Sequence, residues 1–367
     1  MVYLDYSATT PCDERVLQVY VDTIRAQFAN PNSGHRLGLE TRANYLTQTQ
    51  SIAALLNMEE SEVVLTSGAT EANNLAIRGV VAEKGAHALT TPYEHPSVIA
   101  CFSSLQKKGI EVEFVPTDAN GVVDIQAMRQ LIRENTYLVS IGAVNSEIGI
   151  AQDLDAVKDV LTAYPSVLFH SDITQALGKL PLPKRMPDLV SLSAHKIYGL
   201  KGSGALLKPK GLRLERILAG GHGLSAFRPG TPDLPQAVML NKAIALSLAL
   251  FSERYKYIER LNRELREQVA LIIGVHINSP RGSLPHILNL SLPPYESSKL
   301  RDYLSLEEIY VSTQTACSGD APFSEGVLRL TGDPALASSS IRISLSHLTT
   351  SREINIFLEA LRKLVRQ

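Results

Sequence analysis

With 367 residues, 44% of them apolar and 20% charged, the chain has the composition of a soluble globular protein, long enough for about two domains and a large core. A net charge of −1 supplies no basic field, which argues against direct nucleic-acid binding and against docking on an acidic membrane. The longest apolar stretch, Ala237 to Phe251, is interrupted by Asn241 and Lys242 and is too short to span a bilayer. No basic region followed by an apolar core opens the chain, and Cys12, Cys101 and Cys317 form neither a disulfide framework nor a metal-ligand spacing. A cytoplasmic enzyme is the class these features predict.

Residues 1–13 form a lead segment that Pro11-Cys12-Asp13 turns into a helix beginning near Arg15. Ala29 to Gly34 is a loop rich in turn formers, and a second helix spans about Thr41 to Leu56. From Val63 onward strand and helix patterns alternate, with strands at Ala88–Thr90, Val112–Val115, Tyr137–Ile141, Val167–Phe169 and Leu189–Leu192. Asp124 to Arg133 and Leu154 to Tyr164 read as helices between them. Such alternation predicts an α/β domain with a mostly parallel sheet. Two long helices follow, about Leu234 to Leu250 and Glu253 to Ile272, the second with Ile258, Leu261, Leu265 and Val269 on one face. The boundary is placed near residue 250, giving a large α/β domain over 14–250 and a smaller α+β domain from 251–367, with 1–13 packed on it. Strands over His286–Leu292 and Ser340–Leu345 belong to the smaller domain.

Three strand ends carry the chemistry. The run Leu189-Val190 leads into Leu192-Ser193-Ala194-His195-Lys196, and a lysine held there can form a Schiff base with a carbonyl. The preceding strand, Val167 to Phe169, leads into His170-Ser171-Asp172, and a carboxylate at a pyridine nitrogen keeps pyridoxal phosphate protonated as an electron sink. Further upstream, Val63 to Thr66, the turn Ser67-Gly68-Ala69-Thr70-Glu71 and a helix form an anion site from free N–H groups. Each has an ordinary reading: a surface lysine, an N-capping aspartate, a plain strand-to-helix turn. Together they describe a pyridoxal phosphate pocket beyond the carboxyl ends of the strands.

The chain resembles cysteine desulfurases of the NifS/IscS type, pyridoxal-phosphate enzymes of fold type I in the class V aminotransferase group. The resemblance runs almost end to end, through Tyr3 to Pro11, Asn30 to His35, Thr66 to Gly79, Glu94-His95-Pro96, His170 to Lys179, Ser191 to Gly204, Arg228 to Thr231, Thr315 to Gly319 and Ile341 to Leu345. It implies that Lys196 carries the cofactor, that Asp172 pairs with its ring nitrogen, and that Gln175 donates to its phenolate oxygen. Ala69, Thr70, Ser193 and His195 would form the phosphate cup, and His95 would stack on the ring and move protons. Arg342 would grip the substrate carboxylate, with Asn145, Ser146 and Arg228 also on the substrate side. Arg228 and Thr231 would reach the pocket of a second subunit, where Thr231 would contact the cofactor phosphate, which implies a homodimer. Cys317, in the polar and Gly/Pro-bearing loop Ser312 to Pro322, would attack the sulfur of L-cysteine, retain it as a persulfide and release L-alanine. An iron–sulfur scaffold or a tRNA-thiolation enzyme would then accept the sulfur, and the short loop around Cys317 leans toward the latter. A selenocysteine lyase, a class V aminotransferase and a non-catalytic scaffold on the same fold are the competing readings. One departure is visible: the family's Val-Asn-Asn-Glu-x-Gly stands here as Val144-Asn145-Ser146-Glu147-Ile148-Gly149, so Ser146 offers a shorter contact than asparagine.

Overall fold

Consecutive apolar residues in short runs, such as Ala88-Leu89 and Leu189-Val190, suit a strand covered on both faces. The computed structural model, which describes residues 1–221, 223–314 and 323–366, places them so. Its strands are β1 (Val2–Tyr3), β2 (Ser61–Thr66), β3 (His87–Thr90), β4 (Glu111–Phe114), β5 (Thr136–Ser140), β6 (Leu168–Asp172) and β7 (Leu189–Ser193). They continue with β8 (Gly204–Pro209), β9 (His276–Ile277), β10 (Ile287–Ser291), β11 (Ile309–Tyr310) and β12 (Ser340–Ser344).

Seven strands form the main sheet in the order β2-β8-β7-β6-β5-β3-β4. Strands β3 to β7 pair in parallel, whereas β8 runs antiparallel to both β2 and β7. The fold is thus α/β with a mostly parallel sheet. Strand β8 is the one that alternating strand and helix patterns do not reveal, because it follows β7 after a turn with no helix between them. Successive residues point to opposite faces. Leu89, Val139, Val190 and Leu207 enter one core with the helices α1 (Glu14–Ala26) and α2 (Arg36–Leu55), while Ala88, Leu138, Leu189 and Leu206 enter the other. That second core also holds Leu75 and Ile77 of α3 (Ala69–Gly79) and Phe102 of α4 (Pro96–Lys107).

A separate core joins Val2 and Leu4 to Ile258, Leu261 and Leu265 of helix Phe251–Val269, to β10 and β12, and to Phe357 and Leu361 of helix Ser351–Val365. Its antiparallel sheet has the order β12-β10-β9, and β1 pairs in parallel with β11. No single helix among the described residues is long and apolar enough to cross a membrane. The site lies where the carboxyl ends of β3, β5, β6 and β7 meet the lead segment and β12.

Candidate active site

A cavity of about 570 Å³ opens there, within the size range of small-molecule sites, and it brings together residues from across the sequence. His95, Asp172, Gln175, Ser193, His195, Lys196, Ala69, Thr70, Ser146 and Arg342 all line it.

Strand β7 ends in a single 3-10 turn, Ala194–Lys196. This turn points Lys196 at the lead segment, where Nζ donates to the carbonyl of Ala8 at 2.6 Å and to that of Ser7. Glycine is required twice on the neighbouring wall. A Cβ on Gly204 would lie 2.6 Å from the Cα of Gly68, and Gly68 itself has φ +149°, a region that side chains avoid. Gly68 caps α3 without any side-chain hydrogen bond to the helix, so its first amides remain available to an anion beside Ser193 and His195. Burial, followed by the charge of Lys196, pulls the His195 imidazole down to about 4, so it is neutral at physiological pH.

Asp172 ends β6. Its Oδ1 accepts from the backbone N–H of Thr174 at 2.9 Å and its Oδ2 from Asn73 Nδ2 at 2.8 Å. Gln175, buried one turn later, donates through Nε2 to the Ser7 carbonyl at 3.0 Å, while its Oε1 accepts from Lys179 Nζ at 2.9 Å. Among the described residues the second amide hydrogen of Gln175 has no acceptor and is left for the cavity. His95 caps α4: its Nδ1 accepts from the backbone N–H of Ser97 at 3.1 Å and lies 2.8 Å from Ser97 Oγ. Desolvation lowers the His95 pKa; Asp172 and Glu147 oppose the shift and Lys196 adds to it. Beside it, desolvation pushes the Glu94 carboxyl up to about 7 even though it accepts from the Gly142 N–H at 2.9 Å and from the Thr91 hydroxyl at 2.7 Å.

Arg342, on β12, is only 1% exposed. Its guanidinium donates to the Ser146 carbonyl at 3.0 Å and to Asp5 Oδ1 at 2.8 Å, and its Nε has no partner among the described residues. Arg342 lines the cavity, and a buried guanidinium there is suited to a carboxylate ligand.

Three expected site residues lie elsewhere in this chain. Asn145 is turned into its own loop, bonded to the Tyr93 carbonyl and to the N–H groups of Glu147 and Ile148. Its short amide satisfies three backbone groups there, so it braces the cavity loop and does not line the wall. Arg228 donates to Glu71 Oε1 at 3.1 Å, and neither it nor the exposed Thr231 lines the cavity. Cys317 lies outside the described residues. Sequence reading missed Asp5, Asn73 and Ser97. Asn73 carried a legible signal, an amide on the otherwise apolar face Ala72, Leu75, Ala76 of α3. Asp5 and Ser97 carried none.

The family model for class-V aminotransferases matches residues 2–357. The chain is 38% identical to cysteine desulfurase IscS of Vibrio campbellii, covering 98% of this chain and 92% of that one. It is 35% identical to the IscS cysteine desulfurase of Dictyoglomus turgidum, over 99% and 94% of the two chains. A solved NifS-like protein superposes with a TM-score of 0.91 at 33% identity, covering 100% of this chain and 99% of the other. Pyridoxal phosphate is the cofactor of this family, and the donor set fits it: uncapped amides for a phosphate, a half-buried carboxylate for a pyridinium and a strand-end amine for the aldehyde. The chain belongs to the class-V aminotransferase family, in its IscS/NifS group of cysteine desulfurases.

Proposed function

We propose that this protein is a pyridoxal-phosphate-dependent cysteine desulfurase that converts L-cysteine to L-alanine and keeps the sulfur as a persulfide on Cys317. The observation that carries the reading is the meeting of Lys196, Asp172 and the buried Arg342 on one cavity. When bound, the cofactor supplies an electron sink for the carbon that loses its proton.

The chain's own groups would do the rest. The first amides of α3 with Thr70, Ser193 and His195 would hold the phosphate, and Asp172, fixed by Asn73 and Thr174, would hold the ring proton. The remaining amide hydrogen of Gln175 would meet the phenolate oxygen. Lys196 would hold the cofactor aldehyde and is also the amine at the cavity that would carry a proton. Arg342 would bind the substrate carboxylate through its guanidinium, with Ser146 near the same end. In the net reaction the Cβ–S bond of cysteine breaks, the sulfur joins the Cys317 sulfur, and the thiol proton ends on the methyl group of alanine.

Two finer points extend the proposal. Since Arg228 and Thr231 stand away from their own chain's cavity, a homodimer that lends them to the second subunit gives them a function. The persulfide would pass to an acceptor protein, either an iron–sulfur scaffold or a tRNA-thiolation enzyme, in the cytoplasm. The test is Cys317→Ser. It should keep the visible absorbance of the cofactor and its change on adding cysteine, yet release no alanine. In the wild type, one turnover without reductant should leave a persulfide on the Cys317 peptide alone. A persulfide on Cys12 or Cys101, or normal sulfide release by Cys317→Ser, would overturn the assignment.

A further inference from the structure

We propose that Asn73 and Ser97 are positioning residues that hold His95 as a neutral ring with its proton on Nε2. His95 then presents a fixed hydrogen-bond donor to the cavity, and proton movement falls to Lys196. The inference rests on reading the cavity as the desulfurase active site.

The argument starts at Asp172. An ionised carboxylate can only accept, so the Asn73 amide must present its nitrogen to Oδ2, at 2.8 Å; turned over, it would set oxygen against oxygen. The other hydrogen of that nitrogen goes to Ser97 Oγ at 2.9 Å. Asn73 is fully buried in this orientation although its Oδ1 finds no partner among the described residues. That orphan oxygen is a cost, and the carboxylate imposes it.

Ser97 Oγ therefore accepts from the amide and keeps its own hydrogen to give, with His95 Nδ1 at 2.8 Å. The backbone N–H of Ser97 reaches the same nitrogen at 3.1 Å, and a backbone amide cannot reverse its role. Two donors aimed at Nδ1 leave no place for a proton there. The neutral imidazole must then carry its proton on Nε2. The local sequence produces this: His95 is the cap of α4, Pro96 opens the helix without an N–H of its own, and Ser97 supplies the first free amide. The partial positive charge of the helix terminus also disfavours an imidazolium, the device by which a histidine at such a position can act as a neutral donor. Among charged neighbours, Asp172 at the end of β6 and Glu147 in the loop after β5 favour the cation, Lys196 after β7 opposes it, and desolvation outweighs them all. A neutral ring whose Nδ1 is occupied and whose Nε2 is protonated cannot act as a base.

The test is nitrogen NMR of the cofactor-loaded protein labelled in histidine, recorded before cysteine is added, with His95→Gln used to assign the signal. The wild type should show a protonated Nε2 and a bare Nδ1 throughout the pH range of turnover. Ser97→Ala removes one of the two donors and should raise the imidazole pKa by roughly one unit, on the order of a tenfold change in its protonation constant. Asn73→Ala should move it in the same direction, since Ser97 is then free to accept, and Ser97→Thr should restore the wild-type value. A wild-type signal with the proton on Nδ1, or a cation at neutral pH, overturns the proposal, as does a pKa that ignores both alanine substitutions. The wild-type spectrum alone decides the main claim if a variant fails to fold. Absent desulfurase turnover with the expected histidine spectrum would sink the functional reading and the share of proton movement given to Lys196, while the hold of Asn73 and Ser97 on the His95 tautomer would stand.

Discussion

The wall of the cavity formed by the seven-stranded sheet takes its groups from strand ends, with His95 and Ser193 bonded to Ser97 and Ser203 within ten residues, and Asp172 to Thr174 two residues on and to Asn73 of α3, 99 residues away. The opposite wall offers one guanidinium, Arg342, whose partners Asp5 and Ser146 are 337 and 196 residues distant in sequence. The first wall is suited to capturing a cofactor from groups that one sheet fixes. The second is assembled by docking two cores, and it sets where a substrate carboxylate sits. Lesions on the two walls should therefore separate: cofactor signals should follow the first, substrate affinity the second.

The sharpest way to break this division is Lys196→Ala. It removes the amine at the end of β7, so both turnover and the lysine-linked visible absorbance should vanish. Borohydride reduction that still links the cofactor to another lysine would refute the placement. Asp172→Asn should be the next largest. A neutral amide no longer holds the ring proton, and turnover should fall on the order of 100- to 1,000-fold while cofactor remains bound. Activity near wild type would end that role for Asp172.

On the other wall, Arg342→Lys should leave the cofactor absorbance unchanged and raise KM for cysteine by about 10- to 100-fold, because an ammonium cannot present the fork that binds two oxygens. Asp5→Asn should raise KM in the same direction by less, since the fork loses its brace but keeps the Ser146 carbonyl. A loss of cofactor absorbance in either variant would show that the walls are not separate.

This division also explains what the sequence disclosed. Lys196 and Asp172 were legible as residues of one cavity because three strand ends carried suitable groups together and the family resemblance matched them, although each alone has an ordinary reading. The alternation of strands and helices gave the parallel core of the sheet, but β8, which returns antiparallel without a helix, left no such pattern. Asp5 looks like any polar residue in a lead segment, and only the docking of β1 beside β11 and the bridge from Asp5 to Ser344 bring it to Arg342. Ser97 looks like an ordinary second residue of a helix. Asn145 was assigned to the substrate from its motif, yet three backbone groups of its own loop claim its side chain.

The smallest expected effect concerns Lys179, which lies behind the first wall and touches Gln175. Its amine is buried with no carboxylate bonded to it among the described residues. Desolvation, reinforced by Lys196 and Arg342, lowers its pKa from 10.5 to about 7. Between those values the unfolded chain binds a proton that the folded one does not, so folding is penalised, and the penalty fades as pH rises toward 10.5. Below about 7 both states are protonated and the penalty is constant. Lys179→Met, close in length and without charge, removes this dependence. The stability of the wild type relative to Lys179→Met, read from paired denaturant midpoints, should therefore climb as pH is raised from neutral toward 10. A flat difference would mean that the amine keeps an ordinary pKa in the folded protein. In that case Lys179 would stand as a charged neighbour of Lys196, and the first wall would carry more positive charge than its burial permits.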